Sequence, residues 1–166
     1  MSDGNNVAKI EGGKMTLLEW IKWLFGGGKK PPVPVPPPKP PIPGGDGLLY
    51  LHNAERQRLG RMSLTTDYRL TIMAQEHTQQ MAAKGQLNHD NFVQRLEASG
   101  YVYSSAEENA TVTLTNDPNA AWANWVESPK HYANAVNPDM RDVGFGSAYS
   151  TRDGQTYWCA VYGAPR

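Results

Sequence analysis

The sequence predicts an α/β fold. Its expected architecture is a three-layer α/β/α sandwich on a small mixed or antiparallel sheet, preceded by an extended proline-rich N-terminal arm. Three observations carry this reading. Apolar stripes at helical spacing come before and between the strand-like segments. The chain closes on a hairpin signal, "DVGFGSAYS" and "QTYWCAVYG" around Asp153-Gly154. In the last strand Tyr157, Cys159 and Val161 face one way, and Trp158, Ala160 and Tyr162 the other. A strand apolar on both faces needs cover on both.

The elements follow in order. Asp46 is placed to cap a first helix carrying Leu48, Leu49, Leu51 and Leu59, which ends at Gly60. Thr65 or Thr66 is placed to cap a second, with the stripe Leu70, Met73, Ala74, His77 and Met81 and a stop near Gly85. A short third helix is expected over Asn91 to Ser99. The alternation in "ATVTLT", Ala110 to Thr115, predicts a strand, with Glu107 and Glu108 just ahead of it. Asp117-Pro118 starts a fourth helix with Ala121, Trp122 and Trp125. Ser128-Pro129 starts a fifth, with the Ser128 hydroxyl as cap and His131 at the third helical position.

The 166-residue chain divides by composition into an arm (1–30), a linker (31–47) and a domain (48–166). Residues 31–43 hold nine prolines in thirteen, which excludes helix and central strand. Polyproline II is expected there, a spacer of roughly 40 Å at ~3.1 Å per residue. Upstream, "TLLEWIKWLF" offers Leu17, Leu18, Trp20, Ile21, Trp23, Leu24 and Phe25 for docking. The segment is too short to span a bilayer, which takes roughly 20 residues. It makes a poor secretion signal, because charges sit before and within it and no small-residue cleavage site follows. Three roles stay open for it: docking to a protein partner, contact with a membrane interface, or an untypical export signal.

Formal net charge is zero, so the sequence shows no electrostatic footprint for nucleic acid. The lone Cys159 excludes an intrachain disulfide and reads as a buried, inert thiol. His89 in "QLNHDN", His131 in "WVESPKHYAN" and Glu108 in "AEENA" all lie near element ends, where they could converge on a cleft. No HExxH and no cysteine pair is present, so local metal-binding spacing is absent. His77 on the second helix's stripe reads as a core histidine, and His52 as a structural hydrogen-bonding one. Trp122 and Trp125 read as core. Ser128 reads as a cap rather than a nucleophile, since no third catalytic group is evident.

Six pieces in order then carry a resemblance: "LLYLHNAERQRLG", "LTTDYRLTIMAQEHTQQMA" ending in "LNHD", "EENA", "WVESPKHYAN", "DVGFG" and "YWCAVYG". Together they resemble the CAP superfamily, the SCP-like fold of cysteine-rich secretory, antigen 5 and pathogenesis-related proteins, in its bacterial branch. The resemblance implies a cleft in which His89 and His131 match the family's two histidines and Glu108 its Gly-Glu-Asn glutamate. Ser128 stands where many eukaryotic members have a second glutamate, and Glu107 replaces the motif's glycine. Two neutral imidazoles, one carboxylate and a water would form a tetrahedral site for Zn²⁺ or another divalent metal. Glu107 beside Glu108 is expected to raise carboxylate pKa values. Ser128, Asn134, Glu107 and Trp125 are expected to line or support the cleft, with Asn134 tying its helix to a loop.

Three functions are weighed. The first is a binding or interaction module tethered through residues 1–43 to a larger assembly, such as a phage virion or surface appendage, and therefore extracellular or surface-associated. The second is a metal-assisted hydrolase of peptide or polysaccharide, with Glu108 as base beside His89 and His131. The third is a secreted lipid-binding protein.

Overall fold

The computed structural model describes residues 44–166. The expected docking segment, from Leu17 to Phe25, and the proline run to Pro43 lie outside the described residues. Nine elements follow in order: α1 (Gly45–Arg58), β1 (Thr65–Thr66), α2 (Tyr68–Lys84), α3 (Phe92–Ala98), β2 (Tyr103–Thr113), α4 (Pro118–Glu127), α5 (Pro129–Ala135), β3 (Asp142–Tyr149) and β4 (Thr156–Pro165). They build a mixed α/β sandwich on one four-stranded sheet of order β1-β3-β4-β2. β1 runs parallel to β3, while β3 and β2 flank β4 antiparallel.

β4 lies at the centre of both cores. Trp158, Ala160 and Tyr162 pack with Leu48 of α1, Ala121 and Trp125 of α4 and Ala135 of α5. Tyr157, Cys159 and Val161 pack on the other face with Leu70, Met73 and Met81 of α2 and Leu96 of α3. The alternation in the sequence therefore assigns β4's side chains to two separate helical layers. Closeness on the α2 side depends on glycine. A Cβ at Gly144 or Gly146 of β3 would run into the α2 backbone at Leu70-Thr71 or at Ala74-Gln75.

Four local expectations are corrected. The first helix starts at Gly45, so Gly45 to Gly47 belong to α1 and not to the linker. Its cap position is Gly44, in the left-handed conformation, and Asp46 sits inside the first turn. The glycines there serve close packing, because a Cβ at Gly44 would lie 2.9 Å from the Trp158 ring and one at Gly47 3.0 Å from Pro118. Thr65 and Thr66 form the short strand β1, and Asp67 caps α2 by accepting from the Arg69 and Leu70 amides. β2 begins at Tyr103, so Glu107 and Glu108 lie within the strand, paired with Tyr162 and Val161. Ser128 holds the cap position of α5, but its side chain makes no capping hydrogen bond.

No described helix is long and apolar enough to cross a membrane.

Candidate functional site

β2 is an edge strand, and successive residues on it point to opposite faces. Glu108, opposite Val161, joins the α2/α3 side; Glu107, opposite Tyr162, joins the α5 side. A hollow of about 390 Å³ straddles this edge, lined by His89, Phe92, Glu107, Glu108, Lys130, His131 and Asn134. Two histidines some forty residues apart thus share one hollow with Glu108. Trp125 is fully buried in the core, as its core reading predicts, and neither it nor Ser128 is among the lining residues.

Glu108 is the most constrained group in the hollow. Its side chain is only 3% exposed. Arg95 of α3 grips it with both ends of its guanidinium, Nη1 donating to Oε2 at 2.8 Å and Nη2 to Oε1 at 3.0 Å. His89 Nδ1 donates to Oε1 at 2.9 Å, and the Cys159 thiol reaches Oε2 at 3.5 Å. A carboxylate offers about four acceptor sites, and here all four are engaged by the protein itself. Burial pushes the Glu108 carboxyl up, but the hydrogen bonds from His89 and Arg95 outweigh it, and the net displacement is downward. The rise expected from a close Glu107 is absent, because the two side chains take opposite faces of β2 and the hydrogen bonds from His89 and Arg95 decide the sign. Glu107 faces away and accepts from Asn137 Nδ2 at 3.3 Å.

His77 also belongs to this cluster. It is buried, as its place on the apolar stripe predicts, but its Nε2 lies 3.7 Å from Glu108 Oε1. The same nitrogen donates to the Asn88 carbonyl at 2.9 Å, which fixes the tautomer and leaves buried Nδ1 without a partner. Burial lowers its pKa. His131 is likewise lowered, first by burial and then by His89 and Lys130.

A buried polar chain holds the α5 wall in place. His52 Nδ1 donates to the Leu48 carbonyl at 2.7 Å, so its Nε2 accepts from Tyr162 Oη at 2.9 Å. Asn109 Nδ2 donates to Tyr162 Oη at 3.2 Å and to the His131 carbonyl at 2.8 Å. Asn134 pairs its amide with that of Asn109 at 2.9 Å, so it ties α5 to strand β2 and not to a loop. His52 has the structural role its sequence context predicts. Cys159 is fully buried, and burial raises its pKa well above the ordinary thiol value.

The expected metal set was tested against this geometry. A ligating carboxylate needs a free lone pair, and Glu108 has none in this arrangement. Among the described residues no group of three or more His, Cys, Asp or Glu side chains is arranged to hold a metal ion. The residues present do not fit a His89, His131, Glu108 centre while Arg95 remains in place.

Sequence reasoning missed Arg95, His77 and Asn109. Asn109 carried a signal as the asparagine of "EENA"; Arg95 carried none, because its partner lies thirteen residues on along the chain.

Comparison with known proteins agrees with this frame. A search of curated proteins finds no match. Solved structures that match include an extracellular SCP-domain protein from Bacillus anthracis, at 22% identity and a TM-score of 0.64, over 72% of this chain and 40% of that one. An outer surface protein from Borrelia burgdorferi matches at 19% identity and TM-score 0.66, over 73% of this chain and 92% of that one. A cysteine-rich secretory protein from Staphylococcus aureus matches at 18% and 0.58, over 75% and 40%. This chain thus spans less than half the length of the Bacillus and Staphylococcus proteins. The model of the CAP family, described as the cysteine-rich secretory protein family, matches residues 49–162, and the chain belongs to that family.

Proposed function

We propose that this CAP domain is an extracellular interaction module, held to a larger assembly by residues 1–43 and presenting the hollow at the sheet edge as a recognition surface. One observation carries the reading. Every acceptor site of Glu108 is satisfied internally, so this carboxylate has no lone pair left for chemistry, and the hollow offers imidazole, ammonium and amide groups and the Glu107 carboxylate for contact. The apolar segment Leu17 to Phe25 ahead of a proline stalk supports tethering, because an apolar face of this length gains by burial in a partner. Names of similar structures, an extracellular protein and an outer surface protein, support the compartment. A phage virion or surface appendage is one concrete assembly of this kind.

The test uses the full chain in its source. It should sediment with an envelope or particle fraction, and Trp20→Ala with Trp23→Ala should release it while leaving the circular dichroism melt unchanged. Identical sedimentation of both would overturn the tether.

A second reading, hydrolysis of peptide or polysaccharide, draws support from His89. Its bond to Glu108 places the proton on Nδ1 and leaves the Nε2 lone pair available to take a proton from water. The metal-assisted form of this reading requires Glu108 to be freed from Arg95. Cleavage of a peptide or glycan panel by the full chain, abolished by His89→Ala, would establish hydrolysis in place of the module.

A further inference from the structure

The Glu108 carboxylate that lines the hollow already holds a cation. Arg95 projects from α3, where its Nε is pinned to the Asp90 carbonyl at 2.9 Å and its guanidinium lies 5.8 Å from the Phe92 ring centre. Its fork meets the Glu108 carboxylate edge-on through two short bonds. The side chain is only 14% exposed, so this is a desolvated pair and not a surface one. Around the same carboxylate stand the groups that a divalent metal would recruit: His89 Nδ1 at 2.9 Å and His77 Nε2 at 3.7 Å from Oε1, with the Cys159 thiol at 3.5 Å from Oε2. These ligand types would suit zinc, yet they are spent on one another. His89 turns an N–H donor and not a lone pair to Glu108, its lone pair standing on Nε2, and the Nε2 proton of His77 is held by the Asn88 carbonyl. A divalent ion would have to displace the His89 donor or the guanidinium before its first bond to Glu108 formed.

We propose that Arg95 is a built-in cation, occupying at Glu108 the place a divalent metal would need and so withholding the hollow's third ligand, because the two imidazoles left are too few for a tight zinc site. Arg95 is then the residue that decides what this site accepts. Its fixed positive charge on Glu108 favours groups that contact the hollow without ligating it. The inference deepens the recognition-surface reading and rests on it for its meaning, but not for its test: the arm experiment reads sedimentation, and this one reads metal.

The test is zinc titration of the full chain by calorimetry, with zinc chloride as the only ligand. The wild type should show no saturable binding in the micromolar range. Arg95→Met frees both carboxylate oxygens, and its zinc affinity should rise by roughly 10- to 100-fold, on the scale by which outer-shell partners tune metal sites. Adding His89→Ala or Glu108→Gln to that variant should abolish the gain. Arg95→Lys, which keeps the charge, should stay folded and metal-free. Micromolar zinc binding by the wild type that is lost on His89→Ala would overturn the proposal. A folded Arg95→Met chain with no gain would also overturn it. Where Arg95→Met does not fold, the wild type decides. Guanidinium ¹⁵N signals of Arg95 unmoved by millimolar zinc support the proposal, and signals that shift on saturation refute it.

Discussion

Acidification from pH 7 to pH 4 should cost this domain stability through one buried imidazole. His52 is fully buried, its ring tilted against Trp122 at 4.4 Å between centres, and locked between the Leu48 carbonyl and the Tyr162 hydroxyl. A proton on Nε2 would leave two donors facing each other, so protonation must break the chain that ends at the His131 carbonyl. Burial pushes its pKa from 6.5 down to about 4. The folded pKa lies below the unfolded one, so the unfolded chain takes up a proton that the folded chain refuses throughout that window. Stability from this group is complete above 6.5 and drains away as pH falls towards 4. At about 1.36 kcal/mol per pH unit, the loss is roughly 3 kcal/mol. Urea unfolding at pH 7, 5.5 and 4 measures it, with His52→Gln as the reference in which other titrating groups cancel. The wild type should lose about 3 kcal/mol more than the variant across the range. Parallel loss, or an NMR titration of His52 centred near 6.5, would refute the reasoning.

Other perturbations have equally definite outcomes. Gly144→Ala drives a methyl into the α2 backbone at Leu70 and should cost about 3 kcal/mol in thermal unfolding, whereas Gly60→Ala meets nothing within 4 Å and should cost only about 1 kcal/mol for its positive φ. Arg56 is fully buried and donates to the carbonyls of Met62, Ala135, Asn137 and Met140. Arg56→Met leaves these four acceptors unpaired and should lower unfolding free energy by about 3 kcal/mol or more, read by urea denaturation. Burial and the neighbouring carboxylate hold the Cys159 thiol neutral, so a thiol reagent should react only at the rate of global unfolding.

The layers of the sandwich were legible because each rests on local chemistry. The two apolar faces of β4 required two helical layers, and Tyr157, Cys159 and Val161 do enter a different core from Trp158, Ala160 and Tyr162. The stripe from Leu70 to Met81 is buried as its spacing demands. Caps were legible where a side chain competes for the backbone, as at Asp117, which accepts from Asn119 N. They failed at Asp46 and Ser128, because Gly44 already turns the chain into α1 and Pro129 already fixes the first turn of α5. The two-residue strand β1 has no periodicity to read; it exists only because Thr65 and Thr66 meet Asp142 and Val143.

The cleft follows the same division. His89, His131 and Glu108 could be named from residue order, but the state of Glu108 could not. Its downward displacement is set by His89 and by Arg95, which in sequence looks like one more solvated charge on a seven-residue helix. Buried pairing is a property of two elements meeting, here α3 against the edge strand β2. For the same reason His77 read as a core histidine when it is both buried and part of the cluster. Asn109 shows the converse: a motif residue whose importance lies in holding the His131 wall and not in touching a ligand.

Anomalous scattering at the zinc edge, from crystals of the full chain soaked in millimolar zinc, addresses the hollow most directly. The predicted result is the Arg95 fork still seated on Glu108 and no anomalous peak between His89 and His131. A peak bonded to His89 and Glu108, with the guanidinium swung aside, would contradict the account.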